Sequence, residues 1–176
     1  MEKQYSAQEV ERLIVETTRH GAVYASLYFD AHGKSEDAVK NTLIDFVDRL
    51  SKEKGVLYCV GEILPPISRE QKEGGEETKI FSTSSEVKVL AENFVVLLNI
   101  CLRFAPVGAQ INAPAEIRLP LEEAQSVLLD ASQSTQEYSA YILKKVLKPE
   151  EFKEVEEKLA RRAELGKQLL EKQKKD

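Results

Sequence analysis

Ala22-Val23-Tyr24-Ala25-Ser26-Leu27-Tyr28-Phe29-Asp30 alternates without a break. Val23, Ala25, Leu27 and Phe29 fall on one face; Tyr24, Ser26, Tyr28 and Asp30 fall on the other. A period of two over this length predicts a β-strand with one apolar face. A helix must then follow, because Ser35 can cap one and Val39, Leu43, Phe46, Val47 and Leu50 form an apolar stripe towards Lys54. Gly55 stops it.

The pattern continues on both sides. Upstream, Ala7–Arg19 reads as a short amphipathic helix with Val10, Leu13 and Ile14 inward. Ser6 and Glu9 have the capping-box spacing, and Gly21 follows the end. Downstream, Val56–Leu64 is a second strand ended by Pro65-Pro66. Ser68–Glu77 is polar, carries Gly74-Gly75 and reads as a mobile loop. Thr78–Ser82 reads as a third strand.

Thr83 and Glu86 repeat the capping-box spacing, which predicts a helix from there to about Phe104, before Pro106. Lys88, Glu92, Asn99 and Arg103 would form its narrow polar stripe. Ala109–Leu119 is expected as a fourth strand interrupted by Pro114.

The resulting order, strand-helix-strand-strand-helix-strand, predicts an α+β fold. Its expected form is a four-stranded antiparallel sheet with ferredoxin-like topology over residues 1–120, plus the amino-terminal helix. Residues 121–176 are expected to form a helical extension, packed on the sheet or on another subunit. Pro120 suits a first helical turn. Leu121, Ala124, Leu128, Ala131, Tyr138, Ile142 and Val146 keep a helical stripe that Thr135 interrupts. Pro149 opens another helix, and Phe152, Val155, Leu159, Gly166 and Leu170 extend an approximately heptad seam.

Composition narrows the function classes. The 176 residues are 42% apolar and 31% charged, with a net charge of −5 and a pI of about 5.3. An acidic chain is repelled by phosphate backbones and anionic lipid, so nucleic acid is disfavoured as the main partner. Only the stretch 167–175 is locally basic. Cys59 and Cys101 form no CxxC and sit among apolar neighbours, which fits a reducing, cytoplasmic setting. The opening Met1-Glu2-Lys3-Gln4 begins no signal peptide, and Phe94–Phe104 is too short to span a bilayer. Many Glu and Lys, one Met and no Trp lean towards a thermophilic source.

Four places could carry chemistry. Gly33-Lys34-Ser35 at a strand-to-helix turn is reminiscent of a phosphate loop, but the required first glycine is Tyr28. A plain turn with Ser35 as cap explains it better. Asp30 and His32 could act as an acid-base pair, or as metal ligands with Glu36 and Asp37. Too few imidazoles accompany them, so no metal or other cofactor is expected. Ser82-Thr83-Ser84-Ser85 before the expected central helix could hold a small anion, with Lys34 and Ser35 as further contributors. Simple capping is the plainer reading.

The fourth place is the sheet face bearing Tyr24 and Tyr28, which Tyr58 and Phe81 could join. Such faces stack bases in RNA-recognition modules. Here the third strand lacks their glycine-aromatic signature. Cover by the carboxy-terminal helices or by a second subunit, with Phe152, Val155 and Leu159 in the contact, is the favoured reading. The leading expectation for function is a non-catalytic, self-associating interaction protein, a homo-oligomer. A small-anion sensor and a hydrolase using Asp30 and His32 are the rivals.

Overall fold

Alternation drives β1 into the centre of the sheet. In the computed structural model β1 spans Val23–Gly33, with Val23, Ala25, Leu27 and Phe29 all buried. The structure describes residues 6–73, 76–148, 152–153, 155–158, 160–161 and 164, and side chains outside 71–78. Leu159, Gly166, Leu170 and the basic stretch 167–175 lie outside the described residues.

Before β1 stands α1 (Ala7–Thr18), closed at its start by the expected capping box. Ser6 and Glu9 each bond the other's backbone, and these bonds hold the Glu9 carboxyl below its ordinary pKa. After β1 come α2 (Glu36–Ser51), capped by Ser35, and β2 (Val56–Ile63). Gly55 takes a left-handed φ of 86° at the turn between them.

The next stretch departs from expectation. Ser68–Glu77 is not a loop: β3 (Ile67–Glu73) and the start of β4 (Glu76–Ala91) occupy it as an antiparallel pair. A ribbon that runs beyond the packed part of a sheet has no face to bury, so it needs no apolar alternation. The sheet therefore has five strands rather than four. Their order is β2-β4-β1-β5, with β3 paired to β4.

The helix expected at Thr83 does not start there. β4 continues through Thr83 and Glu86 to Ala91, and Ser85, Val87, Val89 and Ala91 alternate into the core. Lys88 accordingly lies on a strand rather than in a helical polar stripe. The helix itself, α3 (Phe94–Phe104), is capped by Asn93, whose Oδ1 accepts from the Val96 N–H at 2.9 Å. Ala105 closes it in the left-handed region. β5 (Gly108–Ala113) stops before Pro114 instead of reaching Leu119. Proline has no N–H to continue the ladder.

Both α2 and α3 cover one face of the sheet. Phe46 of α2 meets Phe29 of β1 and Phe104 of α3 edge-on, with ring centres 4.7 and 5.1 Å apart. Leu43, Leu50, Leu97 and Ile100 complete this core with the inward residues of β1 and β4. Arg103 of α3 pairs with Glu53 just after α2. Antiparallel pairing holds throughout the sheet.

The chain divides into two compact units, Met1–Val127 and Leu128–Asp176. α4 (Leu121–Val146) supplies residues to both. It carries Glu122 and Glu123 in its first turn and Lys144 and Lys145 in its last, as the helix dipole favours. Phe152 and Val155 are helical and partly buried. No helix among the described residues is long and apolar enough to cross a membrane.

Candidate functional site on the open sheet face

The face of β1 turned away from α2 and α3 carries Tyr24, Ser26, Tyr28, Asp30 and His32. Register sets Leu90, Lys88, Glu86, Ser84 and Ser82 of β4 directly opposite them. β2 adds Tyr58, Val60 and Glu62 along the other edge of β4. Three rows across the sheet result, and they differ in character.

The first row is apolar. Tyr24 and Tyr58 are both register partners of Leu90, which is fully buried. Burial, and then the neighbouring Tyr24 and Cys59, push the Tyr58 phenol above its ordinary pKa. Tyr24 and Tyr58 thus share one surface. Phe81 does not join it: it pairs with Gly33 and alternates onto the same face as Thr83 and Ser85. The Lys79 ammonium lies 5.3 Å from its ring centre.

The second row is a polar lock. Ser26 is only 3% exposed. Its hydroxyl donates to Glu86 Oε1 at 2.9 Å and accepts from Asn112 Nδ2 at 2.9 Å. One serine thereby joins three neighbouring strands, β4, β1 and β5.

The third group holds the chemistry. His32 Nε2 lies 2.9 Å from Asp30 Oδ2, and His32 Nδ1 lies 2.8 Å from Ser82 Oγ. An ionised carboxylate only accepts, so Nε2 carries the hydrogen. In the neutral ring Nδ1 is then the acceptor, and the Ser82 hydroxyl donates to it. The two contacts have different origins. Asp30 and His32 are two residues apart on one strand face, whereas Ser82 faces His32 across the β1–β4 ladder. The His32 and Asp30 side chains are 61% and 44% exposed.

A cavity of about 180 Å³ opens onto this trio, walled by Leu64, Pro65 and Ile67. A second, of about 260 Å³, shares Asp30, Leu64 and Ser84 with it and is bounded by Tyr28, Glu62, Glu86 and Val107. A larger cavity of about 500 Å³ includes Arg19, His20, Glu92, Glu116, Arg118 and Glu123 in its lining, charges of both signs.

The hydroxyl run Ser82–Ser85 loses the premise on which anion binding was expected. These residues lie inside a strand, so their backbone N–H groups are not the free donors of a helix start. Their side chains also alternate. Ser82 and Ser84 point to the open face, while Thr83 Oγ1 donates to the Leu64 carbonyl at 2.6 Å. Ser85 Oγ is buried with no hydrogen-bond partner. Ser35 caps α2, accepting from the Ala38 N–H at 3.4 Å, and Lys34 belongs to the same exposed turn. Among the described residues no group of three or more His, Cys, Asp or Glu side chains could hold a metal ion.

The sequence pairs Asp30 with His32 by simple spacing, but it does not single out Ser82 as their partner. That link needs the β1–β4 register. The signal for it lies in Val87, Val89 and Ala91, whose alternation extends β4.

The model of the MJ0538 family matches residues 24–161, so the chain belongs to that family. None of the curated proteins and none of the solved structures matches it.

Proposed function

We propose that this member of the MJ0538 family is a self-associating interaction protein whose long helix α4 pairs with the same helix of a second copy. One observation carries the reading. Leu121, Leu128, Thr135 and Ile142 recur at heptad spacing, with Ala124, Ala131 and Tyr138 at the complementary positions. Leu121 and Leu128 are 76% and 72% exposed, and Tyr138, Ile142 and Val146 are exposed as well. Apolar residues kept at this period are costly in water and form the seam of a two-stranded coiled coil when paired. The alanines allow close approach, and Thr135 is a polar position able to fix the register.

Other features agree with this reading. The strand order β5-β1-β4-β2, with α2 and α3 on one face, supports a ferredoxin-like sandwich elaborated by the β3 ribbon. On the tyrosine face of the sheet the exposed Tyr28 adds surface for association. Free, partly buried Cys59 and Cys101 support a reducing cytoplasmic setting.

Sedimentation equilibrium of the full chain tests the proposal. The wild type is expected to be a dimer or higher oligomer. Leu128→Glu with Ile142→Glu is expected to give a monomer whose β-sheet circular dichroism is retained. A monomeric wild type at micromolar concentration overturns the reading.

A further inference from the structure

We propose that Asp30, His32 and Ser82 form a hydrolytic triad on the open sheet face, acting on small uncharged or cationic esters. The proposal does not depend on how α4 associates. It rests on three observations taken together. Both ring nitrogens of His32 are engaged, Nε2 by Asp30 at 2.9 Å and Nδ1 by Ser82 at 2.8 Å. The three residues sit on paired strands rather than on loops, which fixes their spacing. Finally, all three line one cavity.

The polarity of the hydrogen bonds is what a nucleophile needs. Asp30 keeps the hydrogen on Nε2, so the Nδ1 lone pair faces the Ser82 hydroxyl. A serine hydroxyl is a weak nucleophile until such a base removes its proton. Compared with the familiar protease arrangement the two ring nitrogens exchange roles. The requirement is only that base and nucleophile lie within hydrogen-bond reach, and they do.

The steps balance with water as the only co-reactant. Ser82 Oγ attacks the ester carbonyl carbon, forming a C–O bond and an oxyanion, while its proton passes to His32 Nδ1. Asp30 stabilises the imidazolium through Nε2–H. The bond to the leaving alcohol oxygen then breaks, and that oxygen takes the proton from Nδ1. Water repeats the sequence on the acyl-serine, releasing the carboxylic acid and restoring Ser82.

The surroundings narrow the substrate class. Leu64, Pro65 and Ile67 wall a space of about 180 Å³, which suits a short apolar acyl group. The adjoining space is bordered by Glu62 and Glu86 beside Tyr28. Carboxylates there repel an ester whose alcohol part already carries a negative charge and accept a neutral or ammonium-bearing one.

The experiment treats the full chain with a fluorophosphonate probe, locates the adduct by mass spectrometry, and follows p-nitrophenyl butyrate hydrolysis alongside. The expected adduct is on Ser82, absent in Ser82→Ala. His32→Ala and the closer mimic His32→Gln are expected to slow labelling and hydrolysis by about 100-fold or more. Asp30→Asn is expected to slow both and to change the pH profile, which a merely structural role would leave in place. His32 and Asp30 are exposed and Ser82 is half-buried, so these variants are compatible with folding, and circular dichroism checks it. No adduct on Ser82, an adduct elsewhere alone, or labelling indifferent to His32 overturns the proposal. An unchanged pH profile in Asp30→Asn overturns the role given to Asp30.

Discussion

Gly61 of β2 lies so close to Val47 of α2 that a Cβ added to it would stand 2.9 Å from both Val47 methyl carbons. The contact sets α2 directly against β2. A β-branched side chain on a packed helix cannot turn away from it cheaply. Gly61→Ala is therefore expected to destabilise the protein by about 1–3 kcal/mol through overpacking. Val47→Ala in the same chain should recover part of that loss. Urea unfolding of the two single variants and the double variant measures the coupling, and strict additivity would contradict the contact.

How far the sequence discloses this fold depends on how local each signal is. The Ser6–Glu9 box, the alternation of β1 and the stripe of α2 are each complete within a few residues, and the structure contains all three. The boundary between β4 and α3 is different. Thr83-Ser84-Ser85-Glu86 spells a helix start, yet Thr83 bonds the Leu64 carbonyl and Glu86 accepts from Ser26, far along the chain. Tertiary partners thus override a local motif. Leu90 adds to the ambiguity, because it is buried on the face opposite Val87 and Val89 and so blurs the period of two. The site shares that division. Asp30 and His32 meet by spacing alone, whereas Ser82 arrives through pairing that no local pattern encodes.

Phe46 holds the helix layer to the sheet. Its ring is edge-on to Phe29 and to Phe104, so one side chain couples β1, α2 and α3. Phe46→Ala removes both ring pairs and opens a cavity among residues that cannot fully close on it. The expected cost is about 3 kcal/mol. Phe46→Leu keeps much of the volume and should cost less. Thermal unfolding of the two variants checks the order, which would reverse if Phe46 were only a surface cover.

Ser26 makes a narrower but sharper prediction. Ser26→Ala leaves Glu86 Oε1 without the serine donor and Asn112 Nδ2 without the serine acceptor. Groups left unsatisfied in a part-buried place cost about 1–3 kcal/mol, more than the net worth of the bond removed. Asn112→Ala removes only one of the two contacts and should cost less than Ser26→Ala. Hydrogen exchange should show the largest loss of protection along β5, where Asn112 links that edge strand to β1. Equal protection in wild type and Ser26→Ala would show that the serine does not act as the strand lock.

Alkaline pH should weaken the fold. Burial pushes the Cys59 thiol up to about 11. Burial also raises Cys101, and burial first of all raises Tyr58. Each group prefers to keep its proton in the native chain. Between the ordinary thiol pKa and about 11 the unfolded chain releases the Cys59 proton while the native chain retains it. The unfolded state then binds fewer protons, and stability falls as pH rises through that window. Below the ordinary thiol pKa both states hold the proton, and Cys59 adds no pH dependence. Urea midpoints measured from pH 7 to pH 10 should therefore stay level at first and then decline. Cys59→Ala with Cys101→Ala should flatten the decline, leaving the contribution of Tyr58. At pH 7 both native thiols should react with a disulfide reagent much more slowly than in urea, since the thiolate is the reacting form. Fast native reaction of Cys59 would contradict its half-buried, protonated state.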